Sequence, residues 1–344
     1  MKLFDKFVNR LILGDNLEVM KKMESDNVDL IYLDPPFFSN RNYEVIWGDD
    51  GEVRSFQDRW SGGIEHYIEW LYERIEQMYR LLKPTGSIYL HCDWHANAYI
   101  RVEILDKIFG INNFVNEIIW KRTTTHNDHK QGAKHFGRVT DTIFFYAKDI
   151  KRFTYYSQFE RYTNDYIASS YRRTDSDGRR FKASDLSAAK PGGDTSYQWK
   201  GQYPPKGRYW AYSKENMEHF EKQGRIFYSS NGRPYLKHYL DEMPGVSVDS
   251  LWNNCVYKNK IERIGYPTQK PESLLERIIK ASSNEGDIVL DPFVGGGTTI
   301  AVADGLNRKW IGIDQSVQAV KLSELRLNRD QKGLVDYIIK FAKG

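Results

Sequence analysis

Apolar positions along this chain keep two rhythms, period two and period 3.6, at both ends of the sequence and lose them in the middle. Near the start, Asn9-Arg10-Leu11-Ile12-Leu13 reads as a short strand closed by Gly14-Asp15-Asn16. A helix from about Leu17 to Met23 then leads to a second apolar run, Val28-Asp29-Leu30-Ile31-Tyr32-Leu33. Between Tyr67 and Leu82 the residues Ile68, Leu71, Ile75, Met78, Leu81 and Leu82 recur at helical spacing, and Lys83-Pro84-Thr85-Gly86 predicts the stop. Ser87–His91 predicts the next strand and Ala98–Phe109 the next helix. Phe114–Trp120 and Thr140–Tyr146 predict two last strands as antiparallel neighbours. The rhythm returns at Pro271, a helix start, with the stripe Leu274, Leu275, Ile278 and Ile279. Asp287–Leu290 and Lys309–Asp314 predict two strands, with a glycine turn and a helix between them and another helix from about Ser316 to Asn328. Strand and helix in alternation imply an α/β fold on a parallel sheet. Phe38 to Ile64 is polar, carries Gly48, Gly51, Gly62 and Gly63, and predicts a long loop.

Charge changes this picture in one place. From Lys121 to Ser250 there are 23 Lys and Arg against 15 Asp and Glu, a net +8, so the remainder carries −4 of the chain's +4. The same stretch holds 23 of the 49 aromatic residues in well under half of the 344. A basic, aromatic middle between near-neutral ends points to a nucleic-acid surface, although an insertion with its own aromatic core accounts for the rings equally well. Arg172, Arg173, Arg179, Arg180, Lys206 and Arg208 stand beside Tyr and Trp there and are the candidate phosphate and base contacts. The expected division is therefore 1–120, an inserted region 121–260 whose first part to about 147 completes the sheet, and 261–344. Two cysteines, Cys92 and Cys255, leave no disulfide framework and no cysteine zinc site. With no apolar leader and no run long enough to span a bilayer, a cytoplasmic setting without membrane is expected. His91-Cys92-Asp93-Trp94-His95 has alternate spacing but no further clustered ligands, so a polar strand end near the site is expected and no metal.

The candidate chemistry sits at Asp34-Pro35-Pro36-Phe37, directly after the second apolar run. Two prolines cannot continue a sheet ladder, so a carboxylate is left at the C-terminal edge of a buried strand, ahead of a rigid turn and a ring. In an open α/β sheet that edge binds ligands. An exocyclic amino group of a nucleobase is a poor nucleophile because its lone pair is delocalised. Accepting its hydrogens on the Asp34 carboxylate and the Pro35 carbonyl would make the nitrogen more tetrahedral, with Phe37 stacked on the base. Near the C-terminus, Asp291-Pro292-Phe293-Val294-Gly295-Gly296-Gly297-Thr298 joins a strand to a helix, and Asp314 closes the next strand. That is a nucleoside-binding βαβ unit, in which glycines admit the ligand and Asp314 accepts from both ribose hydroxyls. Its spacing is not that of a nicotinamide site.

Taken together, these motifs resemble the β group of S-adenosylmethionine-dependent DNA amino-methyltransferases, with catalytic motif first, recognition region between and cofactor motif last. The resemblance implies a circularly permuted, Rossmann-like seven-stranded methyltransferase sheet in which Arg10–Leu13 is third in fold order. It implies S-adenosylmethionine as cofactor, held by Asp15 and Asn16 toward adenine, by Thr268, Gln269, Lys270 and Pro271 toward the methionine part, and by Asp34, Asp291, Phe293, Gly295, Gly296, Gly297, Thr298 and Asp314. It further implies direct methyl transfer to a base flipped out of double-stranded DNA, a monomer or homodimer, and a cognate restriction enzyme as partner. Asp at the first motif position is commoner among adenine-N6 enzymes than among cytosine-N4 enzymes, so adenine N6 is the expected acceptor. Cytosine N4 is the alternative, ahead of an RNA or protein amide methyltransferase and of a non-catalytic DNA-binding subunit. Phe37 stands where Tyr is commoner, and either ring can stack.

Overall fold

Val28–Leu33 is buried at every position, as a central strand of a parallel sheet covered on both faces must be. The computed structural model describes residues 9–38, 63–124, 134–259, 262–266 and 268–329 in full, and the backbone of 42–47, 52–57, 330 and 337–341. They divide into a larger unit, 1–158 with 249–344, and a smaller one, 159–248.

The larger unit is built on nine strands: β1 (Asn9–Leu13), β2 (Val28–Leu33), β3 (Leu82–Cys92), β4 (Phe114–Lys121), β5 (Thr140–Ala147), β6 (Leu251–Trp252), β7 (Ile288–Asp291), β8 (Lys309–Asp314) and β9 (Tyr337–Phe341). Their spatial order is β6-β4-β5-β3-β2-β7-β8-β1-β9. Only β5 runs against its neighbours, β3 and β4; every other pairing is parallel. The inner seven are the expected methyltransferase sheet, and β1 lies beside β8 as the third strand should. Two edge strands, β6 and β9, were not foreseen.

Residues alternate between the faces. Ile31, Leu33, Ile88 and Leu90 pack with Val19 and Met20 of helix α1 (Asn16–Lys21) and Leu71, Ile75 and Met78 of α2 (Gly63–Leu81). Tyr89 points the other way, to Ser282 of α3 (Glu272–Ser282), whose hydroxyl lies 2.7 Å from its own. Asp29, the one acid inside β2, is buried but satisfied by Lys83 at 2.8 Å and the Ile288 amide at 2.9 Å. The predicted helix after Cys92 forms as three consecutive pieces, Asn97–Tyr99, a π-helical Ile100–Leu105 and Asp106–Ile108. Lys83-Pro84-Thr85-Gly86 does stop α2, but the chain turns directly into β3, with a register shift against β2. Part of the long loop expected after Phe38 is instead a hairpin, Asn42–Trp47 against Glu52–Gln57. Its Tyr43, Val45, Ile46, Trp47, Val53 and Phe56 are strand formers whose preference outweighs the absence of strict alternation. Gly48, Gly51 and Gly62 lie outside the described residues.

The smaller unit has its own sheet, in the order Ile226–Tyr228, Pro234–Tyr239, Arg180–Asp185, Arg173–Thr174, with helices at Asn164–Ser170 and Lys214–Lys222. Leu186, Trp199, Trp210, Met217, Ile226 and Leu236 form its core. Its start at 159 follows the segment to about 147 that was expected to complete the large sheet, and it ends short of the expected 260 because Leu251–Trp252 also joins that sheet. Among the described residues no helix is long and apolar enough to cross a membrane.

Candidate active site

The two prolines end β2 as their chemistry requires, leaving Asp34 at the C-terminal edge of the sheet. The Lys270 ammonium, which also donates to the Thr268 carbonyl at 2.9 Å, bonds Asp34 Oδ2. The catalytic turn and the segment before α3, 236 residues apart, are thereby tied by a single ion pair. Asp34 Oδ1 faces Nδ1 of His91 at 3.2 Å, yet makes no hydrogen bond of good geometry among the described residues. The Phe37 ring is half-exposed and meets His91 edge-on, with centroids 5.4 Å apart, while Lys270 sits 5.7 Å above its face. The Asp34 carboxylate and a partly open ring thus share one edge.

The glycine turn lies between β7 and helix α4 (Thr298–Gly305). Gly295 and Gly297 take φ of +50° and +73°, where side chains are disfavoured. A Cβ on Gly295 would come 2.9 Å from the Tyr266 ring, and one on Gly297 would lie 2.7 Å from Ser323 Oγ and 2.8 Å from its Cα. The carbonyls of the turn are held from the last helix, α5 (Val317–Asp330): Ser323 Oγ donates to Gly295 at 3.0 Å and Arg326 Nε to Gly296 at 2.9 Å. Asp314, at the end of β8, accepts from the amides of Gly295 at 3.0 Å and Ser316 at 2.9 Å. A carboxylate has about four lone-pair directions, so these backbone donors do not exhaust its capacity to accept from a hydroxyl.

Asp15 caps α1, accepting from the Leu17 amide at 2.9 Å, and Asn16 donates to the Pro292 carbonyl at 2.8 Å. That bond fastens the first helix to the glycine turn. Arg74 of α2 binds both residues, Asn16 Oδ1 at 2.8 Å and Asp15 Oδ2 at 3.0 Å, and stacks 4.2 Å from the Trp70 ring centroid, which in turn packs against Phe293. Of the segment before α3, Pro271 caps the helix and Thr298 Oγ1 donates to the Lys270 carbonyl at 3.2 Å. Gln269 turns inward, bonded to the Glu262 carbonyl at 2.7 Å and the Ile264 amide at 3.0 Å, so its side chain organises the loop instead of facing a ligand. Pro267 lies outside the described residues.

Burial is the largest influence on Asp291: it pushes the carboxyl up to about 7, against a hydrogen bond from Thr299 and one from the Phe293 amide and reinforced by the charges of Asp34 and Asp314. Burial likewise raises Asp314. Three carboxyls therefore gather at one sheet edge, two of them, Asp291 and Asp314, in surroundings that disfavour their charge. A cationic ligand relieves that, so the residues present fit a sulfonium-bearing nucleoside.

Five contributors stand outside the expected site residues: Arg74, Trp70, Arg326, His91 and Asp141. Arg74 had a visible signal, since it falls on the apolar stripe of its helix between Leu71 and Met78. His91, expected only as part of a polar strand end, is wholly buried behind Asp34. In the same segment Asp93 holds His95 through a 2.6 Å bond to Nδ1, and Cys92 is buried.

The six candidate nucleic-acid contacts all fall in the smaller unit, and half of them are engaged within it. Arg179 binds Asp241 at 2.9 Å and Glu242 at 2.7 Å and lies 3.8 Å from the Tyr239 ring centroid. Arg180 donates to the Tyr171 carbonyl at 2.9 Å, and Arg208 to the Ser187 hydroxyl at 2.6 Å. Arg173 stacks on Phe227 at 4.9 Å, while Arg172 and Lys206 are exposed with no ion pair among the described residues.

The N6/N4 methyltransferase family model, described as DNA methylase, matches residues 28–325. The type II methyltransferase M.EcaI of Enterobacter cloacae is 32% identical, over 96% of this chain and 72% of its own length. The DNA adenine methyltransferase YhdJ of Escherichia coli strain K12 is 29% identical, over 94% of this chain and 84% of its own. A Thermus thermophilus protein solved in complex with S-adenosyl-L-methionine superposes with a TM-score of 0.51 at 18% identity, over 98% of this chain and 100% of that one, a likeness of fold.

Proposed function

The chain belongs to the N6/N4 DNA methylase family and is an S-adenosylmethionine-dependent DNA methyltransferase, and from that premise we propose that it methylates the N6 amino group of adenine within a short sequence of double-stranded DNA. The cofactor supplies an electrophilic methyl group on a sulfonium. Asp34 accepts a hydrogen bond from the amino group and draws electron density onto its nitrogen, and Phe37 stacks on the flipped base and fixes its plane. Lys270 holds Oδ2 of Asp34, and Oδ1 faces His91. Asp15, Asn16, the Asp291–Thr298 turn, Thr268, Lys270, Pro271 and Asp314 line the nucleoside and methionine parts. Arg172, Arg173 and Lys206 of the smaller unit contact the duplex.

The observation that carries this reading is the Lys270–Asp34 ion pair, which brings the segment read as facing the methionine part to the carboxylate read as facing the base. The adenine preference is supported by the name of the Escherichia coli relative. Single-molecule sequencing of DNA from a methylation-free host expressing this chain is expected to show N6-methyladenine in one short context. N4-methylcytosine in its place would correct the acceptor, and unmodified DNA would overturn the reading.

A further inference from the structure

An amino nitrogen that has gained a methyl group carries a positive charge and has to shed one of its hydrogens. Where that proton goes is set by what stands behind Asp34. Oδ2 is taken by Lys270, which leaves Oδ1, and Oδ1 faces inward to a histidine. His91 is fully buried, at 0% exposure. Its Nδ1 lies 3.2 Å from Asp34 Oδ1 and 3.3 Å from the Tyr32 hydroxyl, and its Nε2 lies 3.2 Å from Asp141 Oδ2. Asp141 is fixed in turn by Arg122 Nε at 2.8 Å. Burial pulls the Asp141 carboxyl upward, but the hydrogen bond and charge of His91, with Arg122 and Lys270, more than offset it and keep the carboxyl below its usual range. Two rings hold the imidazole edge-to-face, Phe37 at 5.4 Å and Trp120 at 5.5 Å, so it cannot turn away.

On the reading above, we propose that the His91–Asp141 pair is a proton relay behind Asp34, and that His91 is a positioning residue which carries the amino proton without touching the base. An N–H bond of the methylated amino group breaks and its proton forms an O–H bond at Asp34 Oδ1. That bond breaks in turn as an N–H forms at His91 Nδ1, while the Nε2 hydrogen stays bonded to Asp141. The Tyr32 hydroxyl turns from donor to acceptor at Nδ1 as this happens. The proton returns through Asp34 to water once the product base leaves. The arrangement is that of a base oriented by a buried acid, in which the acid fixes the tautomer and stabilises the charged ring. A histidine that merely pins β3 to β5 would need only the bond to Asp141. It would not need, 3.2 Å from its other nitrogen, a buried carboxylate oxygen that has no hydrogen-bond partner among the described residues.

The test compares His91→Gln, His91→Asn and Asp141→Asn with the parent in single-turnover methyl transfer across pH. Cofactor and duplex affinities and melting temperatures are measured beside them. His91→Gln should slow transfer about 100-fold, the scale of lost proton-transfer assistance, with both affinities within about twofold of the parent. The pH profile of the rate should differ in shape from the parent's, because the imidazole that faces Asp34, Asp141 and Tyr32 is gone. Asp141→Asn should slow transfer to a similar degree, and the double variant no further, because the pair acts as a unit. Asp141→Asn removes no heavy atom and keeps the test open where a His91 variant folds poorly. Parent-like rates and pH profiles in the variants would overturn the relay while leaving the methyltransferase reading intact. So would losses of rate that merely track cofactor affinity and melting temperature. A parent chain that transfers no methyl group would overturn the reading itself, and the relay with it.

Discussion

The two units place their carboxylates in opposite surroundings. At the sheet edge of the larger one, Asp291 and Asp314 are both pushed upward by burial, and Asp291 reaches about 7 with the charges of Asp34 and Asp314 nearby. In the smaller one, hydrogen bonds from Lys237 and Tyr239 bring Asp175 down to about 2, and Arg179 lowers both Asp241 and Glu242. Charge that the fold leaves uncomfortable marks a place prepared for a partner from outside, here a cation. Charge that the fold neutralises serves the fold. The 23 Lys and Arg of the middle region therefore overstate its free positive surface, since arginines such as Arg179, Arg225 and Arg233 are matched internally by Asp241, Glu242 and Asp185.

The strongest way to break this contrast is a pair of substitutions with opposite signatures. Asp34→Ala is expected to lower methyl transfer by about 100-fold or more, the loss of an interaction made in the transition state, with the melting temperature close to the parent's. Arg179→Ala should do the reverse, lowering the melting temperature while transfer at saturating DNA holds. Radiolabelled methyl incorporation and calorimetric melting, on both variants, decide it; matching signatures would erase the distinction between the units.

A pH series sharpens it. Asp291 has a folded pKa above its unfolded one, so its ionisation works against folding as pH rises from about 4 to about 7, and the loss is complete above that. Asp175 has a folded pKa below its unfolded one, so its contribution is present above about 4 and fades as pH falls toward 2. Asp291→Asn should therefore raise the stability of the cofactor-free chain at pH 8, by up to a few kcal/mol, and leave it unchanged near pH 4. Equal melting temperatures for parent and variant at both pH values would mean that Asp291 sits comfortably.

The smallest expected effect concerns the cations left over. Neutralising Arg172, Arg173 and Lys206 should reduce the salt dependence of duplex binding by roughly 0.9 log units of slope for each phosphate no longer neutralised, with cofactor affinity unchanged. Neutralising Arg179 should not change the slope. DNA binding titrated against salt on the two variants separates them, and equal slopes would return Arg179 to the binding surface.

Strands β2, β3, β7 and β8 could be read because each carries consecutive apolar residues, and the turns after β2 and β7 because proline and glycine leave few alternatives. Two-residue strands such as Leu251–Trp252 carry no period at all. The smaller unit, whose strands run to six residues at most, is held by buried Trp199 and Trp210 that look in sequence like a stacking surface. Within the site, Asp34 and Asp314 announced themselves through local chemistry. His91 and Asp141 did not, because their meeting depends on β3 and β5 being paired with Cys92 opposite Thr142, a register that no local pattern encodes.

Gly297 bears on how a saturation-mutagenesis map of this chain should be interpreted. Any side chain there must displace the Ser323 backbone as well as its hydroxyl, and must adopt a φ of +73°. Every replacement would accordingly be depleted under selection for abundance alone, before catalysis is demanded. Intolerance at Gly297 is then evidence about the seating of the last helix, not about a nucleoside. The informative positions in such a map are those where abundance survives and methylation does not, and Asp34 is expected to head them.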